Sequence, residues 1–200
     1  VHGDDKGLRL PPQVAPIQVV IMPVASHKDP SVNETVNEVA ETLRGAGFRI
    51  KVDERDIRPG QKYWDWEIKG VPLRLEIGPR DVKDGNAFAA RRTGGKSPIP
   101  LANISNAVSE QLDIVSSDLA TLTSDYVQGT VMQLNDLSED IIEGHIYEVA
   151  FDGSDADAET LEKATGLTIL GNSMTPYDSD MNCIVSGKTT RNRQYIARMY

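Results

Sequence analysis

The sequence predicts an α/β layered domain followed by a smaller α+β unit. Three observations carry this. Ile17–Val24 (IQVVIMPV) is a short apolar run rich in β-branched residues, the pattern of a strand buried on both faces. Two later stretches alternate apolar and polar residues, as half-buried strands do, with helical spacing between them. Beyond residue 100 the period changes to that of one long helix, and a distinct mixed segment closes the chain.

The elements follow in order. After the first strand, Asp29-Pro30-Ser31 marks a loop. Val32, Val36, Val39, Ala40 and Leu43 then recur at helical spacing, with Gly45 and Gly47 as stop signals. Phe48–Val52 alternates as a strand. Strand, helix and strand are most simply joined as a right-handed parallel crossover. Pro59-Gly60 opens the next segment, and Lys62–Lys69 (KYWDWEIK) reads as a short helix ended by Gly70. In Pro72–Ile77, Leu73, Leu75 and Ile77 share one face while Arg74 and Glu76 share the other. Gly78-Pro79 ends that strand. Asn86–Thr93 is the next, and Gly94-Gly95 turns the chain just before Lys96. Residues 17–100 thus form a layered α/β unit.

Ile104, Val108, Leu112, Val115, Leu119, Leu122 and Tyr126 lie three or four residues apart, which predicts a long amphipathic helix packed on the sheet. A coiled-coil partner helix is the other reading. Residues 127–145 have no clear pattern. His145–Phe151 reads as a strand, Asp157–Thr165 as a helix ended by Gly166, and Cys183–Tyr200 as a hairpin turning near Gly187-Lys188.

Composition narrows the class. The chain has 200 residues, 39% hydrophobic and 26% charged, as in a folded domain rather than a disordered one. No apolar run approaches the roughly 20 residues of a membrane helix. The opening residues, which start at Val1, are polar and lack the apolar core of a signal peptide, so the start reads as a cut through a longer protein. The single cysteine, Cys183, excludes an intramolecular disulfide and fits a reducing cytoplasm.

The net charge is −9, unevenly spread. Residues 1–100 hold 16 Lys/Arg against 14 Asp/Glu, and residues 101–200 hold 5 against 16. Within 49–96 the balance is 12 basic to 8 acidic. Nucleic-acid binding needs a local basic surface, which the first half can supply and the acidic half cannot.

Chemistry-bearing residues are sparse. His2-Gly3-Asp4-Asp5 is weak as a metal motif. Cys183 has no histidine close in sequence to activate it, since His2, His27 and His145 are scattered, and no phosphate-cradling glycine loop is present. No reaction can be read from these residues alone. The informative cluster is 53–96, where Arg55, Arg58, Lys62, Lys69, Arg74, Arg80, Arg91, Arg92 and Lys96 sit among Tyr63, Trp64, Trp66 and Phe88. Aromatics stack single-stranded bases, and Arg and Lys bind phosphates or guanine edges, while Glu67 can accept from base amino and imino groups. The same residues also fit two core tryptophans beneath solvated charges, and the pattern leaves both readings open.

Three stretches carry a resemblance. HGDDKGLRLPPQVAPIQVVIMPV (1–24) resembles the exit from the class II catalytic core of prolyl-tRNA synthetases. RDIRPGQKYWDWEIKGVPLRLEIGPRD (55–81) resembles that family's anticodon-domain signature. RQYIARMY (193–200) resembles its terminal aromatic-rich strand. The match is tight in 1–24 and 53–96 and loose in 127–182, and the two-domain tail resembles the archaeal/eukaryotic-type subgroup.

The resemblance implies a mixed five-stranded sheet with flanking helices, the class II anticodon-binding domain, and then a small α+β carboxy-terminal domain. It divides the chain into a catalytic-domain remnant (1–16), the anticodon-binding domain (17–103), a long helix and linker (104–135), and the carboxy-terminal domain (136–200). It implies a cytoplasmic proline–tRNA ligase that uses ATP and Mg2+, charges tRNA(Pro), and is a homodimer at full length, with no membrane or DNA partner. This piece would hold no catalytic residue and act by binding tRNA, as a monomer. Carried over by position, the anticodon readers are Glu67, Arg74, Arg80 and Lys96, with Glu67 on the helix, Arg74 on the outward strand face, and Arg80 and Lys96 just beyond strand ends. Lys62 and Lys69 would contact the tRNA backbone or position the helix. His2, Asp4 and Asp5 would lie beside the active site, which the carboxylate of Tyr200 would approach.

Many members of the family hold a structural zinc in the tail with four cysteines. Here the corresponding positions are Asp152, Asp157, Cys183 and Ser186, of which only one is a thiolate donor. A tetrahedral zinc site wants Cys or His, so no zinc is expected. Two other functions fit parts of the pattern: a free-standing anticodon-binding accessory module, and another class II synthetase such as the threonyl, histidyl or glycyl enzyme. HGDDKGLRLPP argues against the first, and KGVPLRLEIGPRD against the second.

Overall fold

The computed structural model of the chain describes residues 2–199. It divides into two compact units, and the division falls within one helix, between Thr123 and Ser124.

The first unit opens with a two-stranded hairpin, β1 (Gly3–Asp4) and β2 (Gly7–Leu8). Then come β3 (Val19–Pro23), α1 (Ser31–Gly45), β4 (Ile50–Val52), α2 (Pro59–Ile68), β5 (Leu73–Ile77), α3 (Pro79–Asp84), β6 (Asn86–Arg91), β7 (Lys96–Pro100) and α4 (Ile104–Thr130). The five strands form one mixed sheet in the order β4-β3-β5-β6-β7. β3 runs parallel to β4 and β5, while β5–β6 and β6–β7 are antiparallel.

The sequence accounts for the layering. β3 sits between two parallel neighbours and is buried on both faces, which its unbroken apolar run requires. One sheet face, with Val19, Ile21, Leu73, Leu75, Ile77, Ala87 and Ala89, packs on Val32, Val36, Val39, Ala40 and Leu43 of α1. Ile104, Ala107, Val108 and Leu112 of α4 join the same core, so this stretch of the long helix packs on the sheet. On the opposite face Val20 and Met22 meet Trp66 of α2 and Val71. Beyond them that face carries Arg74, Glu76, Phe88, Ala90 and Lys96, set side by side by strand register.

Two glycines fasten the hairpin to the end of α2. A Cβ on Gly7 would collide with the Ile68 backbone, and one on Gly70 would lie 2.7 Å from the Leu8 Cβ. Both glycines have positive φ, so only a residue without a side chain fits.

The second unit contains β8 (Val131–Gln133), β9 (Ile146–Ala150), α5 (Asp155–Thr165), β10 (Thr168–Asn172), β11 (Met181–Asn182), β12 (Thr189–Thr190) and β13 (Arg193–Ala197). A four-stranded sheet has the order β10-β13-β9-β8. Its core is Leu134, Tyr147, Val149, Phe151, Leu161, Leu167, Cys183 and Ile196. Ser154 and Asp157 form a capping box at the start of α5, and Gly166 closes it in the left-handed conformation.

Several expectations need correction. Cys183–Tyr200 is not one hairpin: β12 pairs with β11, whereas β13 lies between β9 and β10. Lys96 is the first residue of β7 rather than a position beyond a strand, whereas Arg80 does lie just past the end of β5, in the short helix α3. Residues 131–133 of the stretch read as helix and linker form an edge strand. No helix among the described residues is long and apolar enough to cross a membrane.

Candidate nucleic-acid interface

Beside α2, the same sheet face holds a group of linked charges. Arg74 on β5 donates from Nε to Glu76 Oε1 at 3.1 Å. Its Nη1 lies 3.6 Å from Glu67 Oε1 at the end of α2. The guanidinium sits 4.0 Å from the centroid of the Tyr63 ring, in cation–π contact. Lys96 donates from Nζ to Glu76 Oε2 at 2.9 Å and lies 5.0 Å from the centroid of the Phe88 ring. The Tyr63 hydroxyl donates to the same Glu76 oxygen at 3.1 Å. Burial, and the Glu76 carboxylate beside it, push the Tyr63 phenol above its ordinary value.

Three of the four residues expected to read bases therefore share one network. Glu67, Arg74 and Lys96 are linked through Glu76, a residue that the sequence placed on the correct strand face without marking it as functional. Its signal was a carboxylate directly facing Phe88 across the register, among basic neighbours. Arg80 stands on α3, exposed, and makes no ion pair or side-chain hydrogen bond among the described residues.

The two tryptophans take different roles. Trp66 is 7% exposed and donates from Nε1 to Asp53 Oδ2 at 2.7 Å, whereas Trp64 is 60% exposed. Arg55 grips the same Asp53 through Nε and Nη2 and reaches Asp65 through Nη1. The Arg55 guanidinium, despite the burial that opposes it, holds the Asp53 carboxyl far below the usual carboxylate range, with help from Trp66. Lys62 is buried, and its ammonium donates to the Asp53 carbonyl at 3.0 Å. Lys69 is exposed, with Nζ 4.6 Å from the centroid of the Trp66 ring. Of the two tryptophans, Trp66 is thus core and Trp64 is on the surface, while Lys62 is buried rather than solvated and Lys69 is exposed.

On the hairpin, His2 and Asp5 are exposed, and Asp4 accepts from both terminal nitrogens of Arg92. Tyr200 lies outside the described residues.

In the second unit, Asp157 Oδ2 accepts from the amide and the hydroxyl of Ser154, at 2.8 and 2.9 Å, and is committed to the helix cap. Cys183 is buried, and its Sγ accepts from the Asp152 amide at 3.4 Å. Burial opposes ionisation of this thiol, but hydrogen bonds from Ser186 and from the amides of Asp152, Ser186 and Val185 outweigh it and hold the thiol below its ordinary value. One thiol, one capping carboxylate, one further carboxylate and a hydroxyl do not make the Cys/His donor set that zinc takes. Among the described residues no group of three or more His, Cys, Asp or Glu side chains is gathered for a metal.

Residues 18–111 match the family described as anticodon binding domain. The five-stranded unit is an anticodon-binding domain, and the readers expected on it stand on α2, on the sheet face beside it, or on α3. The chain is 41% identical to the proline–tRNA ligase of Methanococcoides burtonii, over 100% of this chain and 42% of that protein. It is 38% identical to that of Thermococcus kodakarensis, over 99% of this chain and 43% of that protein. Its fold matches the prolyl-tRNA synthetase of Giardia lamblia, solved in complex with prolyl-adenylate, with a TM-score of 0.87 and 28% identity, over 100% of this chain and 46% of that one. The chain is thus similar along its whole length to proline–tRNA ligases, and it spans less than half the length of the relatives it matches.

Proposed function

We propose that the whole protein is a cytoplasmic proline–tRNA ligase, and that this chain supplies its anticodon recognition. The full reaction activates proline with ATP and Mg2+ and transfers it to tRNA(Pro), with the enzyme as a homodimer. In this reading residues 1–16 lead out of the catalytic domain, 17–103 bind the anticodon, and 104–135 lead into the carboxy-terminal domain at 136–200. The observation that supports it best is the Glu67–Arg74–Glu76–Lys96 network beside α2 on one sheet face of an anticodon-binding domain.

The chemistry follows from the groups. Proline anticodons share two guanines. Arg74, Arg80 and Lys96 donate to guanine O6 and N7, and Glu67 accepts from the N1 and N2 edge. Glu67 suits that task because its side chain is 36% exposed and, among the described residues, makes one long polar contact, to Arg74. Phe88, half-buried beside Lys96, offers a ring for stacking.

Binding of the chain to a proline anticodon stem-loop, beside one with both guanines replaced, tests this at fixed salt. A clear preference for the proline loop is expected. Glu67→Ala or Arg74→Ala should each remove roughly 1–3 kcal/mol of it. Equal, weak and salt-sensitive binding to both loops overturns the assignment.

A further inference from the structure

The network contains two carboxylates in different surroundings. Glu67 is partly exposed, with one contact at 3.6 Å. Glu76 is 8% exposed, and both of its oxygens are engaged: Oε1 by Arg74, Oε2 by Lys96 and by the Tyr63 hydroxyl. With both oxygens held by protein donors and little of its surface exposed, this carboxylate is poorly placed to accept from a base. It also could not be left there unpaired, because a buried charge without partners is strongly disfavoured. Its three donors come from β5, β7 and α2, so Glu76 is the point at which those elements are tied together on this face.

The ties constrain the two cations. Arg74 spends Nε on Glu76 and lays its plane on the Tyr63 ring. Those two contacts restrict where the guanidinium can lie, with Nη1 toward Glu67 and the terminal nitrogens away from Glu76. Lys96 is otherwise a flexible point charge on an exposed stem. It is drawn back over the sheet by Glu76, beside Phe88.

We infer that Glu76 is a positioning residue for base reading: it does not touch the anticodon but holds Arg74 and Lys96 in the arrangement that distinguishes guanine, with Tyr63 holding Arg74 from below. The inference rests on the anticodon-reading assignment. Fixing donors before the ligand arrives lowers the entropy lost on binding and favours the one base whose acceptors fit. Glu76 also cancels one positive charge on a phosphate-binding surface. Removing it should therefore loosen discrimination without loosening attraction to RNA in general.

The test uses the same pair of stem-loops with Glu76→Gln, a near-isosteric change, and with Tyr63→Phe, which keeps the ring and removes only the hydroxyl. Glu76→Gln should lower the ratio of proline-loop to control-loop affinity by roughly tenfold, about the worth of one base-reading pair. It should leave control-loop affinity unchanged or raised, and it should steepen the salt dependence, because the net charge of the face rises by one. Tyr63→Phe should lower the ratio by a smaller factor, and it carries the test should Glu76→Gln fail to fold. An unchanged ratio in either folded variant, or equal weakening toward both loops, overturns the positioning role. If the unaltered chain shows no preference at all, the anticodon-reading assignment has failed instead, and the inference falls with it.

Discussion

Arg92 closes on Asp4 through both terminal nitrogens, although 88 positions separate them in the chain. The same side chain donates from Nε to the Glu67 carbonyl at 3.2 Å and from Nη2 to the Gly7 carbonyl at 3.1 Å. One guanidinium thus joins the β1–β2 hairpin to the residue at the end of α2 whose carboxylate is proposed to read the anticodon. The paired glycines Gly7 and Gly70 allow that close approach.

Acid should release this pair. The Arg92 hydrogen bonds hold the Asp4 carboxyl at about 2, against an ordinary 3.8, with Lys6 and Arg9 assisting. Because the folded value lies below the unfolded one, the pair's contribution is fully present above about 4 and is lost as pH falls toward about 2. Asp4→Asn should therefore lower stability at neutral pH and flatten the acid limb of the stability curve across that window. Urea denaturation at about pH 7, 4 and 2.5 measures it. An Asp4→Asn variant with the same acid limb as the parent would show that the pair contributes nothing. Asp53, held lower still, loses its contribution only at the acid extreme.

Arg92 itself should be the more sensitive partner. Its side chain is 4% exposed. Arg92→Ala would take both guanidinium bonds from Asp4 and one donor each from the Gly7 and Glu67 carbonyls, while the Lys6 amide stays on Asp4 and the Gly70 amide on Glu67, a cost of roughly 1–3 kcal/mol. Arg92→Lys should recover only part of this, since an ammonium cannot span the carboxylate and both carbonyls as the planar fork does. Denaturant midpoints rank the three chains, and equal stability of the Arg92→Lys variant and the parent would refute the requirement for a fork.

How much of this was legible follows from which contacts are local. The β3 run, the α1 stripe and the Leu73–Leu75–Ile77 alternation each report their own burial, and the structure places all of them in one core. β7 was hidden because Lys96–Pro100 carries two prolines, which an edge strand tolerates but which read as loop. α3 is a single short turn after Gly78-Pro79, a pair that signals a stop. In the tail, Arg193–Ala197 alternates as a strand, but its partners are 146–150 and 168–172, which no local pattern names. The candidate site divides the same way. Arg74 and Glu76 were visibly on one face, yet the burial of Glu76 depends on Tyr63 and Lys96 arriving from other elements.

In the second unit, Asp157 serves the α5 cap and Cys183 serves the core. Ser154→Ala should therefore cost about 0.5–2 kcal/mol, as loss of a helix cap does. Chelator or added zinc should leave the melting temperature unchanged. A zinc-dependent rise abolished by Cys183→Ser would contradict the assignment of these residues to capping and packing.

Two lysines that look alike in sequence should fail in different ways when replaced. Lys62 spends its ammonium on the Asp53 carbonyl inside the domain, whereas Lys96 is on the exposed face, with its side chain 45% exposed. An ammonium that neutralises a phosphate contributes about one to the slope of binding against salt concentration. Lys96→Met removes a donor assigned to a guanine edge and should weaken the proline stem-loop more than the control, by roughly 1–3 kcal/mol. Lys62→Met should leave the slope unchanged and lower stability instead, because the Asp53 carbonyl loses its donor beside the Trp66 indole. A salt slope that falls with Lys62→Met would place that lysine on the RNA after all, and would mean that it leaves Asp53 when tRNA binds.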